Sequence, residues 1–453
     1  MLLPSFLQTL ACGFLAISPT LAGRSRHEEV IDAAPFGISF TAPEAIHPKI
    51  PTSRLFHSTA TTQRIHGSHS SRTNLKSVAA VLGAHQRQVG GFGYENITST
   101  SAFGTQYSIE VDWDNHTMSL LLDTGSSDTW AVHNDFECID YMGFVVPQVA
   151  CGFGPKGPGD FRYGPVSPAQ HLFIRYGDGE LATGPMGYAD ITIGNITVNK
   201  QQVALANTTY WFGNNKTSGL LGLAFPGLTQ AYLGTGFEHS EASQVQYSPL
   251  FTSMVSQGKV PPVFSIAIDR NASTGTFALG GIPQVSGLDP STTATTKMLI
   301  TSLTGLADAA TDYSFYTIVP DGWEYDQTTD TKAFPFIVDS GTTLCYLPSP
   351  LAYAINNAFD PPAAYLWSYG AYFTSCDAVA PPVALLLNGK KFWFNPRDLI
   401  YRDLKDPETG LCMTAISNGG SGPFILGDAF MQNALVVFDV GQAEVQFVAR
   451  PYY

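Results

Sequence analysis

Two stretches of this chain are built to one pattern. Leu120-Leu121-Leu122-Asp123-Thr124-Gly125-Ser126-Ser127 and Phe336-Ile337-Val338-Asp339-Ser340-Gly341-Thr342-Thr343 each run an apolar strand into Asp-[Ser/Thr]-Gly. Each is followed downstream by an apolar-apolar-Gly landmark, Leu220-Leu221-Gly222 in the first half and Ile425-Leu426-Gly427 in the second. A single Asp-[Ser/Thr]-Gly arises by chance in roughly one chain in five of this length at average residue usage. Two copies in matching order are an internal repeat, and they restrict the fold to something made of two similar halves. In each half the apolar run buries the approach to the aspartate, while the glycine lets the backbone turn sharply and come close to another group.

The 453 residues are 44% hydrophobic and 13% charged, ample for a large core in a soluble, multi-lobed protein. Frequent turn formers, 43 Gly and 30 Pro, among aromatic and β-branched residues predict many short strands rather than long helices. Between the first aspartate and its glycine landmark lies Phe173-Ile174-Arg175-Tyr176-Gly177-Asp178-Gly179-Glu180, whose Gly-Asp-Gly is a hairpin-turn signal. The polar run Asp112-Trp113-Asp114-Asn115-His116-Thr117 reads as another hairpin turn.

The N-terminal residues 1–22 carry an apolar stretch, Phe6 to Ile17, ending in Thr20-Leu21-Ala22, which predicts a secretory signal peptide. Residues 23 to 87 then hold eight basic and four acidic side chains, whereas the rest of the chain from residue 88 holds 15 basic and 33 acidic ones. A basic segment on an acidic body reads as a removable propeptide over 23–90. It also holds six of the ten histidines, His27, His47, His57, His66, His69 and His85, groups that gain charge in mild acid. The acidic body argues against nucleic acid as a partner. Six N-x-[ST] sequons, at Asn96, Asn115, Asn195, Asn207, Asn215 and Asn271, agree with passage through a glycosylating compartment. Once Cys12 leaves with the signal, Cys138–Cys151 and Cys376–Cys412 are the expected bridges, and Cys345 remains as a buried thiol in an apolar strand. No lipid-anchor signal ends the chain, so the expected product is secreted, extracellular, free of the membrane and monomeric.

Over about residues 100 to 453 these landmarks resemble the pepsin family of aspartic proteases, most closely its secreted fungal members. The resemblance implies an all-β, bilobal fold: two β-barrel-like lobes, 91–285 with Asp123 and 286–453 with Asp339, related by a pseudo-twofold axis with a cleft between them. It implies Asp123 and Asp339 as catalytic carboxylates at the cleft floor, with Thr124 and Ser340 cross-bracing their loops. Gly125 and Gly341 give the loops their turn, and Ser126 and Thr342 bond the outer carboxylate oxygens. Tyr176, Gly177 and Asp178 would belong to a substrate-binding flap steadied by Trp130. In some fungal relatives an acid at the position of Asp178 favours lysine beside the scissile bond. Lys76 would be the propeptide lysine set against the dyad, with Arg72 and Arg87 as alternatives.

The activity implied is an aspartic endopeptidase made as a zymogen, inhibited by its own propeptide, acting on peptides and proteins at acidic pH without cofactor or metal. Two carboxylates forced together do not both ionise cheaply, so one serves as base and the other as acid toward a water attacking the peptide carbonyl. The shared proton is carried over with the family. A catalytically dead binding protein on the same fold is the rival from another class, disfavoured because both aspartates, both glycines and the flap tyrosine are present. A glycoside hydrolase also needs two carboxylates, yet has no use for duplicated Asp-[Ser/Thr]-Gly landmarks.

Overall fold

The computed structural model describes residues 105–450 apart from 237–238, 269–273, 284, 286–287, 302–313 and 421, together with three upstream strands, Val30–Ala33, Ile38–Thr41 and Thr61–His69. Lys76, Arg72, Arg87, Asn96, Asn271 and the signal segment lie outside the described residues.

In the first lobe, Thr105–Trp113 returns antiparallel as His116–Asp123, with Trp113 opposite His116. The connecting pair Asp114 and Asn115 has φ of 50° and 69°, the doubly left-handed turn that suits a twisted two-residue hairpin and that Asp and Asn tolerate. The aspartate strand pairs in parallel with Gly219–Gly222, setting Gly222 beside Asp123. That strand pairs in turn with Thr129–Ile139, which continues to Ile196–Tyr210 and Leu181–Ile193. The last of these returns to the first strand at Asp112 opposite Thr192, so the sheet closes on itself. Alternation along the strands fills the interior with Tyr107, Ile109, Val111, Leu120, Leu122, Val203 and Leu205.

The second lobe repeats the central arrangement. Phe336–Val338, the approach to Asp339, runs parallel to Phe424–Leu426, as the first aspartate strand does to its own landmark. The matching order of motifs in the sequence is therefore matched by the pairing of their strands. The architecture is the all-β, bilobal one that the family resemblance implies.

A sheet shared by both halves joins the lobes. Thr61–His69 lies between Thr105–Trp113 and Thr274–Leu279, and the sheet continues through Val263–Ile268, Ala434–Asp439 and Glu444–Ala449. A strand from inside the basic segment 23–90 thus bridges the first barrel to strands from the middle and the C-terminal end of the chain. The inter-lobe core is aromatic: Phe264 stacks on Phe438 with centroids 4.6 Å apart, and Tyr316 meets Phe438 edge-on at 4.7 Å. The Tyr316 hydroxyl donates to the Leu223 carbonyl at 2.6 Å, tying the second half to the residue after the first glycine landmark. No helix among the described residues is long and apolar enough to cross a membrane.

Candidate active site

The two Asp-[Ser/Thr]-Gly turns meet where the lobes join. Gly125 N–H and the Ser126 hydroxyl donate to Asp123 Oδ1 and Oδ2 at 2.7 and 2.5 Å. Gly341 N–H and the Thr342 hydroxyl donate to Asp339 Oδ1 and Oδ2 at 2.8 and 2.6 Å. Each carboxylate is therefore held by its own turn, in the same geometry, 216 residues apart in the chain.

A reciprocal brace holds the turns to each other. Thr124 Oγ1 donates to the Val338 carbonyl at 2.9 Å and accepts the Ser340 N–H at 3.0 Å. Ser340 Oγ donates to the Leu122 carbonyl at 2.9 Å and accepts the Thr124 N–H at 3.2 Å. Both hydroxyls are buried, so each of these backbone groups would lose its partner in a dry setting if a hydroxyl were removed.

Glycine is required here by contact across the pseudo-twofold. A Cβ on Gly125 would lie 2.6 Å from the Asp339 carboxyl atoms, and one on Gly341 would lie 2.7 Å from Asp123 Cγ. Each turn omits the atom that would keep the other aspartate away. The two carboxyl groups consequently come close enough for the charge of one to act directly on the other. Burial pushes the Asp123 carboxyl well above the ordinary range, the Asp339 charge pushes it further, and the Ser126 and Gly125 donors pull it part of the way back.

Above the dyad, Gln170–Arg175 and Leu181–Ile193 form a hairpin whose last ladder pair is Arg175 opposite Leu181. Tyr176 N–H donates to the Glu180 carbonyl at 2.8 Å, and Gly179 takes φ of +90°, a conformation that glycine adopts at little cost. The Tyr176 hydroxyl accepts a 2.8 Å bond from Trp130 Nε1, while its ring meets Trp211 edge-on at 5.5 Å. A pocket between flap and dyad is lined by Tyr176, Asp178, Glu180, Trp211, Gln106 and Asp123, among others.

The sequence profile described as eukaryotic aspartyl protease matches residues 106–450. The chain belongs to that family. It is 37% identical over 369 residues to a probable aspartic-type endopeptidase of Aspergillus fumigatus, covering 79% of this chain and 81% of the relative. Penicillopepsin-3 of Penicillium janthinellum is 27% identical over 370 residues, covering 78% and 80% of the two chains. The crystal structure of aspartic proteinase from Irpex lacteus superposes with a TM-score of 0.57 at 18% identity, covering 77% of this chain and 95% of that one, which supports the fold. The protein is an aspartic endopeptidase, with peptides or proteins as substrates.

Within this aspartyl protease, the residues singled out from the sequence fall into three places. Asp123, Thr124, Gly125, Ser126, Asp339, Ser340, Gly341 and Thr342 gather at the dyad. Tyr176, Gly177 and Asp178 form the hairpin tip, where Asp178 is buried and its Oδ1 accepts the Glu180 N–H at 3.0 Å, so part of its role is to cap its own turn. Asn115, Asn195, Asn207 and Asn215 are exposed. The Cys138–Cys151 and Cys376–Cys412 disulfides form, and Cys345 is a free, buried thiol whose pKa burial pushes up to about 12.

Three acids escaped the sequence reading. Asp428, directly after the second glycine landmark, is buried near the dyad, its N–H donating to the Thr342 carbonyl at 2.8 Å; burial raises its pKa well above the ordinary value, and Asp339 and Asp123 add to the effect. The first half carries Leu223 after its corresponding glycine, and that asymmetry was the available signal. Asp128, also buried, accepts the Tyr247 hydroxyl at 2.8 Å and the Gln230 N–H at 3.0 Å, with its pKa raised to about 7 by burial. Glu180 closes the flap turn and faces the pocket, and nothing in its sequence context distinguished it from an ordinary post-turn acid.

Proposed function

We propose that this chain is a secreted zymogen whose Asp123 and Asp339 activate a water for hydrolysis of internal peptide bonds in acid. The observation that carries the reading is the mutual approach of the two carboxyls through the missing Cβ atoms of Gly125 and Gly341. In that arrangement one proton serves two groups. The ionised member takes a proton from the attacking water, and the protonated member donates to the oxygen of the peptide carbonyl as it becomes tetrahedral. The buried donors Ser126 and Thr342 hold the outer oxygens, leaving the inner edges for water and substrate. Tyr176 closes over the bound peptide and excludes bulk water.

The extracellular location, the signal over 1–22, the propeptide over 23–90 and a monomeric product are part of the same proposal. Its support is the apolar N-terminal stretch, the basic-on-acidic charge division, two disulfides and four exposed sequons. The basic segment blocks the enzyme near neutrality and is released when acid protonates the carboxylates holding it. Asp178, lining the pocket, favours a lysine side chain beside the scissile bond, so Asp178→Ala should lose preference for lysine-containing over leucine-containing peptides.

The deciding experiment is hydrolysis of a denatured protein by the acid-incubated, purified chain between about pH 3 and 7, with and without pepstatin. Acid activity abolished by pepstatin is the expected result. Confirmed loss of the basic segment without any hydrolysis would favour the non-catalytic binding protein.

A further inference from the structure

The flap is fastened to the cleft wall by one side chain that the dyad chemistry does not use. The ladder between Leu181–Ile193 and Ile196–Tyr210 ends at Leu181 opposite Tyr210, where the flap hairpin peels away from its neighbour. Beyond that point a backbone donor, Phe212 N–H, is received by a side chain: Glu180 Oε1, at 2.7 Å, in a part-buried setting. A carboxylate arm thus continues the ladder past the place where the two backbones have separated.

Glu180 is also the residue on which the flap turn closes. Its carbonyl accepts the Tyr176 N–H at 2.8 Å, and its own N–H donates to Asp178 Oδ1 at 3.0 Å. The segment it grips is itself anchored: Trp211 packs edge-on against Trp130 at 5.1 Å, and Gly213 N–H donates to the Cys151 carbonyl at 2.9 Å. Cys151 is bonded to Cys138, which shares the strand Thr129–Ile139 with Trp130, the donor to Tyr176. The contacts therefore form a closed circuit from Trp130 through Tyr176, Glu180, Phe212 and Cys151 back to the strand that carries Trp130.

We propose that Glu180 is a positioning residue that latches the flap stem to the Trp211–Phe212 wall, so that Tyr176 and Trp211 present one preformed surface to the substrate. This rests on the reading of Asp123 and Asp339 as the hydrolytic pair, because it concerns how substrate is held over them. Glu180 touches no reacting atom; it acts through the height of the flap. Its removal raises the cost of ordering the flap on substrate, an effect on binding more than on chemistry.

The test uses the full-length chain, acid-incubated as above, with Glu180→Ala and Glu180→Gln. Glu180→Ala should raise KM about tenfold with kcat within about twofold of wild type, the size expected for losing one part-buried hydrogen bond to a charged group. Glu180→Gln keeps an acceptor oxygen for Phe212 N–H and should restore KM. Hydrogen exchange, read on the same proteins without any activity, should quicken at Phe212 and at residues 176–180 in Glu180→Ala only. An unchanged KM in Glu180→Ala, a Gln variant as impaired as the Ala variant, a fall in kcat equal to that in kcat/KM, or unchanged flap exchange would each overturn the latch. Failure of the wild type to hydrolyse protein would refute the protease reading instead, while the exchange measurement would still judge the latch.

Discussion

At the residue scale, the site depends on atoms that are absent as much as on those present. Gly341 has no substitute: a Cβ there meets the Asp123 carboxyl, and alanine must push one turn away from the other. Gly341→Ala is expected to lower kcat about 10²- to 10⁴-fold, the range for losing a positioned acid or base, with circular dichroism unchanged. Retention of wild-type kcat would show that the turns have room to separate without cost. Ser340 makes a second residue-scale prediction. Ser340→Ala strips a partner from both Leu122 C=O and Thr124 N–H and should cost about 1–3 kcal/mol in denaturant unfolding, whereas Ser340→Thr keeps the hydroxyl and should cost far less. Equal losses in the two variants would place the cost in packing. Both aspartates, their glycines and their hydroxyl neighbours were legible in the sequence because the chemistry is compressed into one repeated tetrapeptide. Asp428 was not, because its proximity to the dyad is set by strand pairing.

At the scale of elements, the flap is a hairpin whose tip was readable and whose stem was not. Gly-Asp-Gly announces a turn, and the family resemblance pointed to Trp130 as the partner of Tyr176, a bond the structure forms from strand Thr129–Ile139; the Glu180–Phe212 bond of the stem had no such signal. Tyr176→Phe removes the acceptor for Trp130 Nε1 in a partly buried place, and kcat/KM is expected to fall about tenfold, with the loss mostly in KM. A kcat/KM equal to wild type would mean that ring packing on Trp211 alone positions the flap. The loop from Cys138 to Cys151 was predictable from spacing, since a 13-residue separation brings the ends together at small entropic cost.

For the whole molecule, buried acids set the pH dependence of stability. The folded state raises Asp128 to about 7 by burial and Asp439, likewise through burial first, to about 6; Asp123 and Asp428 move in the same direction. A raised carboxyl pKa means that the unfolded chain releases its proton first. The stability linked to these groups is therefore fully present below about pH 4 and is lost as pH rises through about 6 to 7. Asp190 and Asp289, whose pKa values are lowered, act in the opposite sense in stronger acid; Asp289 is exposed and screened, whereas Asp190 is half-buried beside Arg162. In an Asp339→Asn background, which keeps the chain intact, the unfolding midpoint should fall between about pH 4 and 7, and Asp128→Asn should flatten that fall. A midpoint that rises over the same interval would contradict the assignment. Acid stability of this kind would suit the hydrolysis in acid proposed above.

The sequence by itself determined the two aspartate turns, the all-β bilobal plan, the hairpin flap and both cysteine pairs, because each is written in contiguous residues or in a repeat. Only the tertiary structure decided that Thr61–His69 joins the sheet shared by the lobes, that Asp428 is buried near the dyad, and that Glu180 bonds Phe212. Those contacts pair residues about 30 to more than 300 positions apart that share no periodicity. They arise from which strands become neighbours when both halves bury their apolar faces together.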